Sequence, residues 1–276
     1  MTAPAQPLSP AAPEDPGIHV DALADVIASM PADTVLSHRS AAAIWGLWIP
    51  AFDAVEVTSA AGYRGSRYTT SVQRHSVTAH RRILPSHHVT SHLGLPRTTI
   101  ARTWLDLAPL CDVHDLVAAG DSALRAGANE AELAHLVFAG RRLRGLVRAR
   151  VAVTVLDHRS RSRPESRIRS ALVLAGLPRP SVNEAIHDEY HGWLAEPDLH
   201  YREAQLALEY NGEEHASIKR MRRDSTRLLD LQRAGWEVRT YTAAQAFSRI
   251  DDVVADVRGL LRRRAPHLLT STALSR

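Results

Sequence analysis

Three acidic residues in the C-terminal half stand where they could do chemistry together: Glu165, Asp198 and Glu209. Hydrolysis of a phosphodiester needs charge stabilisation on a pentavalent phosphate and an activated water, and Mg²⁺ or Mn²⁺ held by converging carboxylates supplies both. Glu209 lies in Leu206-Ala-Leu-Glu-Tyr-Asn211, a segment that alternates as a strand. Alternation puts Glu209 and Asn211 on one face and Leu208 and Tyr210 on the other. A carboxylate in so apolar a strand is costly without a cation or a donor beside it. Asp198, in Glu196-Pro-Asp-Leu, precedes Glu209 by eleven residues. That spacing allows a short turn near Arg202 to Gln205, which brings the two carboxylates together across an antiparallel pair. Gly212 suits a sharp exit from the strand, and His215 is within reach of the same place.

Simpler roles compete with the chemical ones. Ser162 and Glu165 have the spacing of a helix capping box, and Glu165 can pair with Arg169 one turn on. Asp224 is a natural first-turn helix residue and Asp198 a natural turn aspartate. His187 and His191 share helical spacing but have no third ligand near them, so they do not read as a zinc site. The chain has no Gly-x-x-x-x-Gly-Lys loop, no Gly-x-Ser-x-Gly elbow and no His-Glu-x-x-His pair.

The elements that must position these residues follow from periodicity and caps. Ser162-Arg-Pro-Glu165 opens a helix that runs to Ala175 and stops at Gly176. Leu206 to Tyr210 is a strand with a partner around Trp193 to Tyr201. Arg223 to Ala234 is an amphipathic helix closed by Gly235, Trp236 to Tyr241 a strand, and Ile250 to Arg262 a last helix. In the N-terminal half, helices are expected over His19 to Met30, Ser37 to Gly46 (with Ser37 as N-cap), Ala101 to Ala108, Val113 to Ala126 and Glu130 to Ala139. Strands are expected over Phe52 to Thr58 and Val72 to Ile83, with a loop between them.

The net charge of +4 is carried almost wholly by arginine, Lys219 being the single lysine. Arginine suits phosphate, though a GC-rich genome produces the same bias. Arg141 to Arg150 and Arg159 to Arg163 are dense basic clusters that read as the junction between two domains and as a phosphate-tracking surface. The Pro/Ala-rich start is expected to be a disordered lead rather than a secretory signal. No apolar run approaches the ~20 residues that cross a bilayer. The lone Cys111 excludes an internal disulfide and reads as a buried thiol of a cytoplasmic protein.

The segments Pro164-Glu-Ser-Arg-Ile-Arg, Ala175-Gly-Leu-Pro-Arg-Pro180, Pro197-Asp-Leu, Leu208-Glu-Tyr-Asn-Gly-Glu-Glu-His215, Arg223-Asp224 and Ala234-Gly-Trp-Glu-Val238 occur in order. Together they resemble the endonuclease-like family related to very-short-patch-repair endonucleases, within the PD-(D/E)XK nuclease superfamily. The resemblance implies an αβββαβα, restriction-endonuclease-like domain over residues 159–266. It places the family's first-helix acid on Glu165, its PD aspartate on Asp198 and its second-strand glutamate on Glu209, with His215 and Asp224 completing the site. Members usually read Glu-Tyr-Asp-Gly, whereas this chain has Asn211, an uncharged oxygen ligand. Val35-Leu-Ser-His-Arg-Ser-Ala-Ala-Ala-Ile-Trp-Gly46, Gly94-Leu-Pro-Arg-Thr-Thr and Ala101-Arg-Thr-Trp-Leu-Asp-Leu-Ala108 resemble AbiEi-like antitoxins of type IV toxin–antitoxin systems. In those proteins a winged helix-turn-helix comes first, and here it is expected to be shortened or missing.

The expected organisation is therefore an α/β (α+β) chain of two domains. A lead over 1–18 precedes a mixed helical and strand domain over 19–150, the nuclease-type domain over 159–266 and a tail over 267–276. The first expected activity is Mg²⁺- or Mn²⁺-dependent cleavage of DNA. Asp198, Glu209 and Asn211 would hold metal, and Glu165 would position metal or water. His215 or Asp224 would assist proton transfer, and Arg159, Arg161, Arg163, Arg167 and Arg223 would grip the backbone. The alternatives are a non-catalytic DNA-binding regulator on the same fold and a module that neutralises a cognate toxin protein by contact.

Overall fold

The computed structural model of the protein describes residues 20–60, 68–69, 76–92, 94–188, 191–211 and 230–273. Gly212, His215, Arg223 and Asp224 lie outside the described residues, as does most of the helix expected over Arg223 to Ala234. The chain is mixed α/β and forms two compact units, Met1–Val153 and Thr154–Arg276.

The first unit contains α1 (Val20–Ala28), β1 (Val35–Leu36), α2 (His38–Ile44), β2 (Ala54–Ser59), β3 (Tyr68–Thr69), β4 (Ser76–Arg81), β5 (Val89–His92) and β6 (Leu95–Thr98). Four helices follow: α3 (Ile100–Leu107), α4 (Val113–Arg125), α5 (Glu130–Ala139) and α6 (Leu146–Val153). The strands form one six-stranded sheet in the order β3-β4-β2-β1-β6-β5. Thr99, Asp112 and Asn129 cap α3, α4 and α5 through their side chains, satisfying N–H groups that a helix start leaves unpaired.

Ser37 occupies the N-cap position of α2 but does not cap it through its side chain. Glu56, from the neighbouring strand β2, takes that role by accepting from the Arg39 backbone N–H at 2.7 Å. The Ser37 hydroxyl is thereby released to His38 Nδ1 and Thr58 Oγ1. Cys111 is a buried free thiol.

The second unit contains α7 (Arg163–Leu174), β7 (Ser181–Val182), β8 (Ile186–His187), β9 (Trp193–Ala195), β10 (Leu199–Tyr201), β11 (Leu206–Asn211), β12 (Glu237–Thr242), α8 (Ala243–Phe247), α9 (Ile250–Arg264) and α10 (His267–Ala273). Its four-stranded sheet runs β12-β11-β10-β7, with β11 antiparallel to β10 and parallel to β12. One face carries Leu199, Leu206 and Leu208 against Ile168 and Leu172 of α7 and Val253 and Val257 of α9. The other face carries Ala207 in a smaller cluster with Ile186, Ala195, Leu231 and Trp236.

Two expectations need correction. Trp193 to Tyr201 is not one strand: β9 pairs with β8, and β10 pairs with β11 and β7. Pro197 lies at the break, where its missing N–H cannot continue a ladder. The stretch from 267, read as a tail, forms α10, because Leu268 and Leu269 pack on the core and His267 Nε2 meets Glu203 Oε2 at 2.8 Å.

Candidate acidic site

The Leu206 to Gln205 corner decides the register of the site. Residues Arg202 to Gln205 form the turn, with Gln205 in the left-handed region at φ 43° and its N–H donating to the Arg202 carbonyl at 3.0 Å. The pairs Leu199–Leu208, His200–Ala207 and Tyr201–Leu206 bring Asp198 and Glu209 to the same end of the β10–β11 ladder. Asp198 stands just ahead of β10, and its Oδ2 accepts from the Tyr210 backbone N–H at 2.8 Å. Glu209 and Asn211 share the face of β11 opposite Leu208 and Tyr210, and Asn211 is exposed at the end of the strand.

Glu165 reaches the same place from the start of α7. Glu165, Asp198 and Glu209 line one small cleft with Ile168, Leu208 and Tyr241. The Glu165 carboxylate is buried and takes three donors: the Arg161 backbone N–H at 2.9 Å, the Ser162 hydroxyl at 2.7 Å and the Asn183 amide at 2.9 Å. Its capping role is therefore real, and it coexists with a place in the cleft wall. All three donors are neutral.

Asn183 was not singled out from the sequence, yet it ties the site together. Its backbone N–H donates to the Asp198 carbonyl at 3.0 Å, and its amide bridges Glu165 and the Arg159 carbonyl. It does so at φ 47°, a left-handed conformation that asparagine tolerates better than most residues. An asparagine directly after a two-residue strand is the one local signal that pointed to this turn.

The basic residues are employed differently from expectation. Arg167 is 4% exposed, its Nε donates to the Ala246 carbonyl and its guanidinium lies over Phe247. It is an internal residue, not a surface grip, because α7 is buried along most of its length. Arg163 also lies over Phe247, at 4.8 Å. Arg159 forks onto Asp157 and Arg161 pairs with Glu196, both with exposed side chains that retain access to solvent. In the stretch read as a phosphate-tracking junction, Arg148 donates to the Ala108 and Cys111 carbonyls and Arg150 to those of Val137 and Gly140. Those two arginines serve helix ends of the first unit. His187 and His191 belong to the β8–β9 hairpin and its turn, so helical spacing does not apply to them.

Among the described residues, no three His, Cys, Asp or Glu side chains form a ready-made metal cage. Mg²⁺ does not require one, since it is commonly bound by one or two carboxylates, waters and substrate phosphate. Asp198 and Glu209 are the two cleft carboxylates that could meet that demand, whereas Asn211, at the exposed end of β11, does not line the cleft. Among the described residues no helix is long and apolar enough to cross a membrane.

No family model matches the chain, and no solved structure matches it. Two curated proteins of Mycobacterium tuberculosis, from strains CDC 1551 / Oshkosh and H37Rv, are similar to it, each described only as an uncharacterized protein. Each is 33% identical over 150 residues, which is 54% of this chain and 52% of the relative. The chain thus spans about half the length of the curated relatives it matches.

Proposed function

We propose that the second unit is a metal-dependent DNA endonuclease domain of the very-short-patch-repair-related type, with Asp198 and Glu209 as its metal-binding pair. The observation that carries this reading is the cleft: Asp198 and Glu209, eleven residues apart at the same end of the β10–β11 ladder, line it together with Glu165. Mg²⁺ or Mn²⁺, when bound, would supply charge stabilisation at the phosphate and an activated water. Asp198 keeps one carboxylate oxygen on the Tyr210 N–H, which fixes the direction of the other. Glu165, held by neutral donors, adds negative charge to the cleft and locks the start of α7 against it. Asn211 supports as a weaker oxygen donor. Arg159 and Arg161, whose side chains are exposed next to Glu165 in sequence, are arginines that a DNA backbone could meet.

Asn211 favours a second reading, in which the domain binds DNA as a regulator or antitoxin component and no longer cuts, because an amide lowers metal affinity relative to a carboxylate. Cleavage of plasmid, linear duplex, single-stranded and mismatched DNA with Mg²⁺ or Mn²⁺ separates the two. Metal-dependent cutting that disappears in Glu209→Ala supports the enzyme. Binding without cutting on every substrate leaves the regulator.

A further inference from the structure

The first unit seals an ionisable network that the acidic site does not use. Glu56 is 1% exposed and forks onto Arg39, with Nε at 3.2 Å and Nη2 at 2.9 Å. Arg102 and Asp106 form a second buried fork at 3.0 and 2.7 Å. Within reach of both pairs, His38 and His80 stack face to face, their ring centroids 3.6 Å apart and 18° from parallel. Four elements converge here: α2 brings His38 and Arg39, β2 brings Glu56 and Thr58, β4 brings His80, and α3 brings Arg102 and Asp106. His88 lies within electrostatic reach of Arg102 and Asp106.

Stability does not account for such a network, because buried ion pairs recover little more than their desolvation costs. Two further features mark it. His38 sits at φ 50°, a conformation that strains a residue with a bulky side chain. His80 Nε2 is sealed from solvent without a hydrogen-bond partner, 3.9 Å from Glu56 Oε1. A metal site is excluded by the geometry of the stack, since parallel imidazoles present faces to each other and their nitrogen lone pairs do not converge.

We propose that the His38–His80 stack is a proton-operated latch: with the His38 ring neutral it holds the start of α2 against β4, and protonation of that ring in mildly acidic solution releases it. Thr58 Oγ1 donates to Ser37 Oγ at 2.8 Å, which leaves the Ser37 proton to point at His38 Nδ1, 2.9 Å away. His38 in this state is neutral, with its own proton on Nε2. A proton arriving at Nδ1 sets two donors against each other and places a charged ring beside the Arg102 cation. Burial pushes His38 down from 6.5 to about 4, with His80 and Arg102 acting in the same direction and Asp106 and Glu56 opposing. The folded form therefore disfavours the charged ring. Its stability from this source is complete above pH 6.5 and is lost as pH falls from 6.5 towards 4. The strained φ of His38 relaxes on release.

Hydrogen exchange read by mass spectrometry on the full chain, normalised for intrinsic rates between pH 7.5 and 5.0, tests the latch. Peptides covering 38–44 and 76–81 should lose protection on acidification while those covering 199–211 keep theirs. At pH 5 the open-to-closed ratio should rise roughly thirtyfold. His38→Asn, chosen because asparagine tolerates the left-handed backbone, should flatten that profile. Protection independent of pH in the wild type overturns the latch, as does an unchanged profile in His38→Asn. Should His38→Asn fail to fold, ring ¹⁵N resonances of the wild type decide. A His38 ring that stays neutral to pH 5 in the folded form supports the latch, and one that titrates near 6.5 without loss of structure sinks it.

Discussion

The buried acids of the two units are held in opposite ways. In the first unit Glu56 and Asp106 are each clasped by an arginine fork, so their charge is cancelled where it stands. In the second, buried Glu165 is held by a backbone N–H, a hydroxyl and an amide, none of them cationic. Neutral donors fix a carboxylate's position without cancelling its charge. A carboxylate neutralised by arginine is an internal brace. One positioned by neutral donors is prepared for a cation that comes from outside.

The sharpest way to break this contrast is to remove one acid from each unit. Glu209→Ala should abolish metal-dependent cleavage, by roughly a thousandfold for a lost metal worth several kcal/mol, while urea midpoints of the protein change little. Glu56→Gln should do the reverse, costing about 2–3 kcal/mol in urea unfolding at pH 7, the lower side of a broken buried pair because Arg39 retains some solvent. Burial opposes ionisation of Glu56, but the nearby His80 ring and the Arg39 fork and backbone N–H outweigh it and hold the carboxyl down at about 2. A lowered acid stabilises above its unfolded value, so the gap between wild type and Glu56→Gln should close as pH falls from about 4.5 to about 2. A gap that persists unchanged would remove the ion pair as its cause.

Two finer changes sharpen the description of the second unit. Asn211→Asp adds charge at the edge of the cleft and should tighten Mg²⁺ binding about tenfold in calorimetry. No change would show that position 211 does not touch the ion. Asn183→Gly keeps the left-handed backbone but deletes the amide that bridges Glu165 and Arg159, and should weaken metal binding several-fold while costing about 1 kcal/mol of stability. Asn183→Ala should cost more in stability because it adds backbone strain. Equal losses in the two variants would shift the explanation away from φ.

The short turn that brings Asp198 and Glu209 to one end of the β10–β11 ladder was legible from spacing because antiparallel strands leave little freedom: moving the register one residue would turn the leucines of β11 out of the core. The helix over 163–174 was legible from Ser162, Pro164 and the glycine that follows it. What spacing did not reveal were contacts made across long separations. Glu56 of β2 reaches Arg39 of α2, Arg167 reaches Ala246 across 79 residues, and Asn183 meets Glu165 across 18. The arginine-rich composition suggested a nucleic-acid surface, but Arg102, Arg148, Arg150, Arg167 and Arg169 are bound to carbonyls or carboxylates of the protein itself. Charge counts a side chain without saying which way it faces.

The two neighbours of β11 also differ in how far away along the chain they begin. β10 is joined to it by a four-residue turn, whereas Leu206 pairs with Glu237 in a parallel ladder that must wait for a long crossover. Loop closure makes the first contact fast and the second slow. During folding, then, Asp198 and Glu209 should meet in a local hairpin before the sheet that supports them is complete. These two acids of the cleft are brought together by the earliest contact in their unit, and the wall contributed by Tyr241 of β12 is added later.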